Sequence, residues 1–331
     1  MKKLYTLSLL MVGALSFGQV SDSFTGTGAL NANGWGSHSG TAGQLMIVSG
    51  SLTYTGMPST GNKIALVQGN SEDLNKPSAA PITGNAYYSA IVNVPNITGL
   101  TANNTTGDYF LTMAATAGTT PNSVTAFSGR LYVKLGSAAN TVNFGVLNNS
   151  GGTATPSFVA TDYPINTPVF IVVKYNLTTN SASLFVNPAL ATEGTANATN
   201  ATGTTAAPTQ IASIAVRQSG TATIAGTGNI EIDEVKLGGT WAYVTTSTLA
   251  VKENAITGLK VYPNPVSNGT LYITSDNNES KEVSIFDILG KQVVKTTVSN
   301  DAVNVSNLKG GVYIVKITED GKTATRKLVV K

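Results

Sequence analysis

Val169-Phe170-Ile171-Val172-Val173-Lys174-Tyr175 is the stretch on which the fold turns. Its first five residues are apolar and four of those are β-branched, so neither side of the run is left for water. Such a run predicts a strand covered on both faces, inside a sheet. Arg130-Leu131-Tyr132-Val133-Lys134-Leu135 alternates instead and predicts a strand with one wet face. Outward from these two, strand-like runs occur at 51–54, 64–67, 87–94, 109–114, 142–146, 183–186, 211–216 and 230–237. They are separated by Gly, Asn and Pro turns, without helical periodicity or internal repeats. Ten or more strands across residues 21–245 predict a two-sheet jelly roll. Residues 189–208, rich in Ala and Thr, read as a long surface loop.

The 331 residues leave room for two or three domains at ~100–200 residues each. Charged residues make up 11% of the chain, against ~25% in an ordinary soluble protein. No cysteine is present, which excludes disulfides, thiol catalysis and cysteine-bound zinc. Residues 21–245 carry seven Lys/Arg against nine Asp/Glu, net −2, whereas residues 246–331 carry eleven against eight, net +3. The change in charge density marks a boundary. Residues 246–255 are expected to be a linker, entered through Thr245-Thr246-Ser247-Thr248. At the other end, Lys2 and Lys3, an apolar run from Leu4 to Leu15, and Ser16-Phe17-Gly18 before Gln19 predict a signal peptide over 1–18. The run is shorter than the ~20 residues of a spanning helix, and no later stretch is long enough to be one.

Beyond residue 256 the strands are short. Leu259-Lys260-Val261-Tyr262 is stopped by Pro263-Asn264-Pro265, Gly290 turns the chain into Gln292-Val293-Val294, and Asp320-Gly321 signals a hairpin. About seven strands in this span predict a small antiparallel, Ig-like sandwich. Val261-Tyr262-Pro263-Asn264-Pro265, Ile285-Phe286-Asp287-Ile288-Leu289-Gly290-Lys291, Leu308-Lys309-Gly310-Gly311-Val312-Tyr313 and the ending Arg326 to Lys331 resemble the type A sorting domain of the bacterial type IX secretion system. That resemblance covers 256–331. It implies transit through the periplasm, recognition of the C-terminal domain by outer-membrane machinery, and release or attachment at the cell surface. Tyr262, Pro263, Asn264, Pro265, Gly290, Gly311, Tyr313 and Lys331 carry the motif.

Residues 19–245 resemble concanavalin-like (laminin-G-like) jelly rolls of exported bacterial proteins. The likeness rests on Gly34-Trp35, Gly50 to Tyr54, Asp108-Tyr109-Phe110, Val173 to Asn176, Leu184 to Pro188 and Ile232 to Val235 with Trp241. It implies a fold shared by glycan-binding modules, adhesion domains and glycoside hydrolases. It also implies one structural calcium near the first and last strands, with Asp22 and Asp233 in position; such an ion wants six to eight oxygens. Glucanases of that fold carry Glu-x-Asp-x-x-Glu on one strand. Here Glu231-Ile232-Asp233-Glu234 is followed by Lys236 where the last Glu is required, so these acids are expected to be solvated charges on the last strand.

His38 is the only histidine and lies in Gly36-Ser37-His38-Ser39-Gly40, expected to be an exposed loop. No phosphate-binding loop is present, and the net −2 of the cargo disfavours nucleic acid. Sugar binding needs neither catalytic charge nor basicity. It needs aromatic faces and amide or carboxylate oxygens, for which Trp35, Tyr54, Tyr87 and Tyr88 are the candidates. The sequence therefore predicts an exported β-sandwich that binds glycans or mediates adhesion. A hydrolase or lyase with an atypical site, and a surface protein without a small ligand, are the alternatives. Carboxylates or a Tyr/Arg/His cluster facing one another in a groove would favour the enzyme, a row of exposed aromatics the binder, and a flat Thr/Asn surface the coat protein.

Overall fold

The computed structural model describes residues 19–101, 106–118, 124–221, 223–246, 256, 258–277, 279–299, 301–320 and 322–331. The expected signal peptide, residues 1–18, and most of the expected linker lie outside the described residues. The chain separates into two compact units that divide between residues 248 and 249.

The first unit is an antiparallel sandwich of two sheets. One sheet runs, edge to edge, Ala198–Asn200, Ser181–Val186, Val169–Asn176, Asn85–Asn93, Ile230–Gly238, Lys63–Leu66, Met46–Val48 and Gly28–Ala29, with Val20–Asp22 also paired to Ile230–Gly238. The other runs Ser157–Phe158, Thr141–Leu147, Phe127–Leu135, Asp108–Ala114, Ile211–Val216, Asp73–Ile82 and Gly36–Ser39, with Tyr163–Pro164 also paired to Thr141–Leu147. The fold is the expected jelly roll. Val169–Asn176 lies inside its sheet, as its two apolar faces require: Val169, Ile171, Val173 and Tyr175 point into the inter-sheet core, while Phe170 and Val172 point outward into a second cluster. That second cluster is roofed by Leu52, Met57 and the short helix Trp241–Thr245, so the central part of the first sheet's outer face is covered.

Three local expectations are corrected. Ser51–Tyr54 is irregular chain rather than a strand; Leu52 turns into the second cluster and its N–H is held by a side chain. Asp73–Ile82 is a ten-residue strand that its prolines concealed. Only Asp73 to Asn75 of that strand pair with Gly36–Ser39, so Pro77 and Pro81 fall where one side is an open edge and no ladder N–H is missed. The 189–208 loop contains the edge strand Ala198–Asn200.

The last strand of the unit is broken by a bulge. Its register against Asn85–Asn93 slips between Asp233 and Lys236, and Glu234 takes φ 49°. The acids at the bulge are not solvated, contrary to expectation: Asp233 is fully buried and Glu234 nearly so. Asp233 Oδ2 accepts from Ser51 Oγ at 2.6 Å and Leu52 N at 2.8 Å, and Oδ1 accepts from Glu234 N at 2.7 Å. Glu234 Oε1 accepts from Thr60 N and Thr60 Oγ1. The two carboxylates thus fasten both ends of the 51–60 segment over the sheet.

The second unit has seven strands among the described residues, in two sheets. Lys260–Tyr262, Thr270–Thr274 and Ala302–Asn304 form one; Gln292–Val298, Lys281–Phe286, Gly311–Glu319 and Lys322–Val330 form the other. Val283, Ile285, Val315, Ile317 and Leu328 fill the space between them.

Burial pushes the Asp233 carboxyl from 3.8 up to about 6, against the pull of its donors Ser51 and Leu52. Between those values the folded group keeps a proton that the unfolded group has released. Stability contributed by Asp233 should therefore fall as pH rises from 3.8 to about 6, by at most ~3 kcal/mol. Denaturant melts of the parent and Asp233→Asn at the two ends of that window check it. The stability of the parent relative to the variant should drop from the acid end to the neutral end.

Candidate functional site

Of the expected sugar-stacking residues, none stands free. Trp35 is 2% exposed, packs on Phe24 with ring centroids 6.2 Å apart, and donates its indole N–H to Asp22 Oδ2 at 2.8 Å. Tyr88 is fully buried, its hydroxyl donating to Gly129 O at 2.9 Å. Tyr87 lies edge-on to Trp241 and donates to Glu193, while Tyr54 leans on Phe170. Trp35 and Tyr88 are inter-sheet core, and Tyr87 and Tyr54 belong to the outer cluster of the first sheet. The faces expected to stack on sugars are thus packed against the protein itself.

The expected calcium ligands are engaged as well. Asp22 pairs in register with Val235, within the bulged segment, so Asp22 and Asp233 lie on neighbouring strands. Asp22 Oδ2 also accepts from Lys76 Nζ at 2.6 Å and Oδ1 from Phe24 N at 2.9 Å. A cation there would have to displace an ammonium. Among the described residues no three of His, Cys, Asp and Glu group as a metal site. Glu231, the other acid of the last strand, is paired with Lys63 at 2.8 Å and Asn93 at 2.7 Å, and Lys236 is buried with its Nζ donating to Thr246 O.

The open surface is the outer face of the second sheet. A cavity of about 210 Å³ lies there, lined by His38, Asp73, Tyr109, Thr112, Phe127 and Arg217 among others. Alternation puts these side chains outward: Leu131 and Val133 enter the core while Arg130, Tyr132 and Lys134 stand on the other side, and Phe110 enters while Tyr109 stands out. His38 is on the edge strand Gly36–Ser39 rather than on an exposed loop, and its ring lies 6.1 Å from that of Phe127. Its strand has no apolar residue to announce it and exists through backbone pairing with Asp73 to Asn75.

The electrostatics of this face are specific. Two guanidinium groups sit over the Tyr109 ring, Arg217 at 4.4 Å and Arg130 at 5.1 Å from its centroid. Arg217 is paired with Asp108 at 2.6 Å, whereas Arg130 has no carboxylate partner among the described residues. Burial holds the His38 imidazole below its ordinary 6.5, with the Asp73 charge and Asn75 pulling the other way, so at neutral pH it is uncharged. Burial pushes the Asp73 carboxyl up, opposed by Ser39, Gln218, Arg217 and His38. Two enclosed polar atoms on this side of the sheet, Arg130 Nε and Asn143 Oδ1, have no hydrogen-bond partner of good geometry, and the same holds of amide oxygens on Asn85, Asn93 and Asn149. Folded proteins leave few such atoms, and Arg130 and Asn143 both stand on the outer face of this sheet.

In the second unit the sorting-motif residues have physical roles. Asn264 Oδ1 accepts from Val329 N at 2.9 Å and its Nδ2 donates to Lys327 O at 2.7 Å, so one side chain imitates a strand along the open edge of Lys322–Val330. Val266 N donates to Val329 O and Lys331 N to Val266 O, continuing that cover; the bonds Tyr262–Pro263 and Asn264–Pro265 in this stretch are cis. Gly290, at φ 84°, closes the turn after Leu289. Gly311 opens a strand, and Tyr313 donates its hydroxyl to Lys309 O at 2.8 Å.

Comparison with known proteins decides what this unit is. Residues 260–331 match the family described as secretion system C-terminal sorting domain. This unit is a sorting domain. The protein is accordingly exported, to be released or held at the cell surface, and its C-terminal unit engages the type IX machinery. An endo-acting ulvan lyase of Formosa agariphila is 32% identical over 98 residues, 28% of this chain and 19% of that protein. An ulvan lyase of Nonlabens ulvanivorans is 34% identical over 89 residues, 26% of this chain and 16% of that protein. This chain thus spans under a fifth of either relative. Among solved structures, a sialidase is 12% identical with TM-score 0.39, covering 67% of this chain and 18% of its own. The exoplasmic/lumenal domain of VIP36, bound to calcium and Man2, is 13% identical with TM-score 0.36, covering 67% and 88%.

Two outcomes follow for variants. Trp35→Ala should cost ~3–5 kcal/mol in a denaturant melt, the range for emptying a buried aromatic site. Asn264→Ala removes two bonds from an edge strand and should cost ~1–2 kcal/mol, with hydrogen exchange at the Val329 amide rising while that of Val315 changes little.

Proposed function

We propose that the cargo unit holds an anionic extracellular polysaccharide across the outer face of its second sheet. The observation that supports this is a guanidinium without a carboxylate partner among the described residues, Arg130, on the same outer face as the enclosed and unpartnered Asn143 Oδ1. Because the Tyr109 ring is approached by two guanidiniums, the face offers hydrogen bonds and positive charge more than bare aromatic stacking. Sugar hydroxyls answer the amide oxygen, and a uronate carboxylate or a sulfate ester answers Arg130. The cavity is below the ~300–1,000 Å³ of a drug-sized pocket, so it takes one sugar ring and leaves the rest of the polymer along the sheet.

A second reading is favoured by one observation. His38, Tyr109 and Arg217 line the same cavity, and the imidazole is neutral at pH 7. A neutral imidazole can accept a proton from the carbon beside a uronate carboxylate, a guanidinium can offset charge on that carboxylate, and a phenol can protonate the departing oxygen. That set is the Tyr/Arg/His cluster that would favour a lyase. The two ulvan lyases it is similar to share too little of their length to carry that activity across.

Retention of the full chain on uronate-rich and sulfated polysaccharides, beside neutral glucans, tests the first reading. The charged polymers should be retained and released by salt, and Arg130→Ala should weaken binding about tenfold or more, the loss of one charge-assisted hydrogen bond. Equal retention of neutral glucans, or an unaffected Arg130→Ala, would sink it. Ultraviolet absorbance from unsaturated uronate ends, appearing with the parent and absent with His38→Ala, would establish the lyase.

A further inference from the structure

Large hydrophobic side chains left in solvent are unevenly distributed. Of eleven among the described residues, seven lie in the sorting domain: Tyr262, Tyr272, Ile288, Leu289, Val293, Val312 and Ile314. The extreme cases adjoin one another, with Ile288 75% and Leu289 89% exposed. Their position is fixed by the turn that carries them. Asp287 Oδ1 accepts from Leu289 N at 2.9 Å and Lys291 N at 3.0 Å, Asp287 N donates to Lys291 O at 2.9 Å, and Gly290 supplies the positive φ. The backbone bonds are closed and the two side chains still point at water.

The tip continues into a sheet face of the same character. In the four-stranded sheet Ile285 and Val315 enter the core, so Phe286, Val312 and Ile314 lie on the opposite side. Phe286 is in register with Ile314, Ile314 with Lys327, and Val312 with Val329. Ion pairs in this domain join Lys281 to Asp301 and Glu319, and Lys295 to Glu282; among the described residues none uses Lys316 or Lys327, which stand on that same face. The result is an apolar stripe with unpaired cations beside it, on a domain whose residues 246–331 carry net +3.

We propose that the Ile288-Leu289 tip and the Phe286–Ile314–Val312 stripe are the surface by which the sorting domain docks into the export machinery, in an apolar receptor pocket with an acidic rim. Contiguous exposed apolar groups on a folded domain mark an interaction site. The sorting match says that this domain is read by a protein partner, and the flanking lysines set the charge of the rim. The turn is rigid before binding, so little ordering is lost when the two side chains enter a pocket. The proposal rests on the sorting assignment and is independent of what the cargo binds.

The test is export of the full chain in a host that carries type IX machinery. Ile288→Ser with Leu289→Ser should cut the exported fraction about tenfold or more and leave the protein in the periplasm, with an unchanged melting point. Ile288→Val with Leu289→Met restores an apolar tip and should export normally. Normal export of the serine pair overturns the proposal. So does equal failure of the apolar pair, which would assign the effect to turn shape, or a lowered melting point of the serine pair, which would assign it to folding. Flotation with phosphatidylethanolamine–phosphatidylglycerol vesicles is the last arm. Binding by the parent that the serine pair loses would give the tip to a bilayer and overturn the receptor; no flotation supports it.

Discussion

The carboxylate of Asp233 sits where the cargo sandwich could most easily have stayed open. It lies at a bulge in the strand that pairs with Val20–Asp22, Lys63–Leu66 and Asn85–Asn93 together. Without the bulge its side chain would follow the strict alternation of a strand, and Glu234 would face the opposite side. With it, two adjacent acids reach the same covering segment, at Ser51-Leu52 and at Thr60. A protein without cysteine has no covalent means of fixing such a cover, so buried hydrogen bonds from charged acceptors do it. The cost is a carboxyl that resists ionisation.

That clamp determines which face can serve a ligand. Leu52 and Met57, held down by it, complete the cluster with Phe170, Val172, Phe185 and Trp241 over the first sheet. Among the described residues the second sheet has no comparable apolar cluster over Tyr109, Arg130 and Arg217. Its residues are therefore free to be polar, and the polar atoms there are left partly unsatisfied. Closing one face with apolar cover and leaving the other polar is what separates a binding sandwich from a merely stable one.

The strands whose identity came from side chains were legible in the sequence. Val169–Asn176 carries its burial on both faces in its composition, and Phe127–Leu135 carries its wet face in the alternation of Arg130, Tyr132 and Lys134. Elements defined by the backbone were not. Gly36–Ser39 pairs through N–H and C=O groups that every residue owns, so His38 read as loop, and Asp73–Ile82 was hidden by prolines that an open edge tolerates. Trp35 and the tyrosines were candidates because aromatic rings stack on sugars, and they are packed against protein instead. Whether the cover is protein or sugar is a matter of tertiary packing, which spacing along the chain does not encode. The basic residues of the candidate face are 87 positions apart at Arg130 and Arg217, and only the strand order joins them.

The two units depart from the norms of folded proteins in opposite directions, and the contrast bears on their roles. The cargo leaves enclosed polar atoms unpaired, a state that costs ~1–3 kcal/mol per group until a ligand with hydroxyls or charges arrives. The sorting domain leaves apolar side chains in water, a state relieved by an apolar partner and not by a sugar. Its edge strand Lys322–Val330 is meanwhile covered by Asn264 and Val266, while the opposite edge, Gln292–Val298, pairs with a strand on one side only. A domain that shows a hydrophobic tip on a turn closed by its own hydrogen bonds can be gripped by side chains, and that is the kind of contact a transport machine can make and then release.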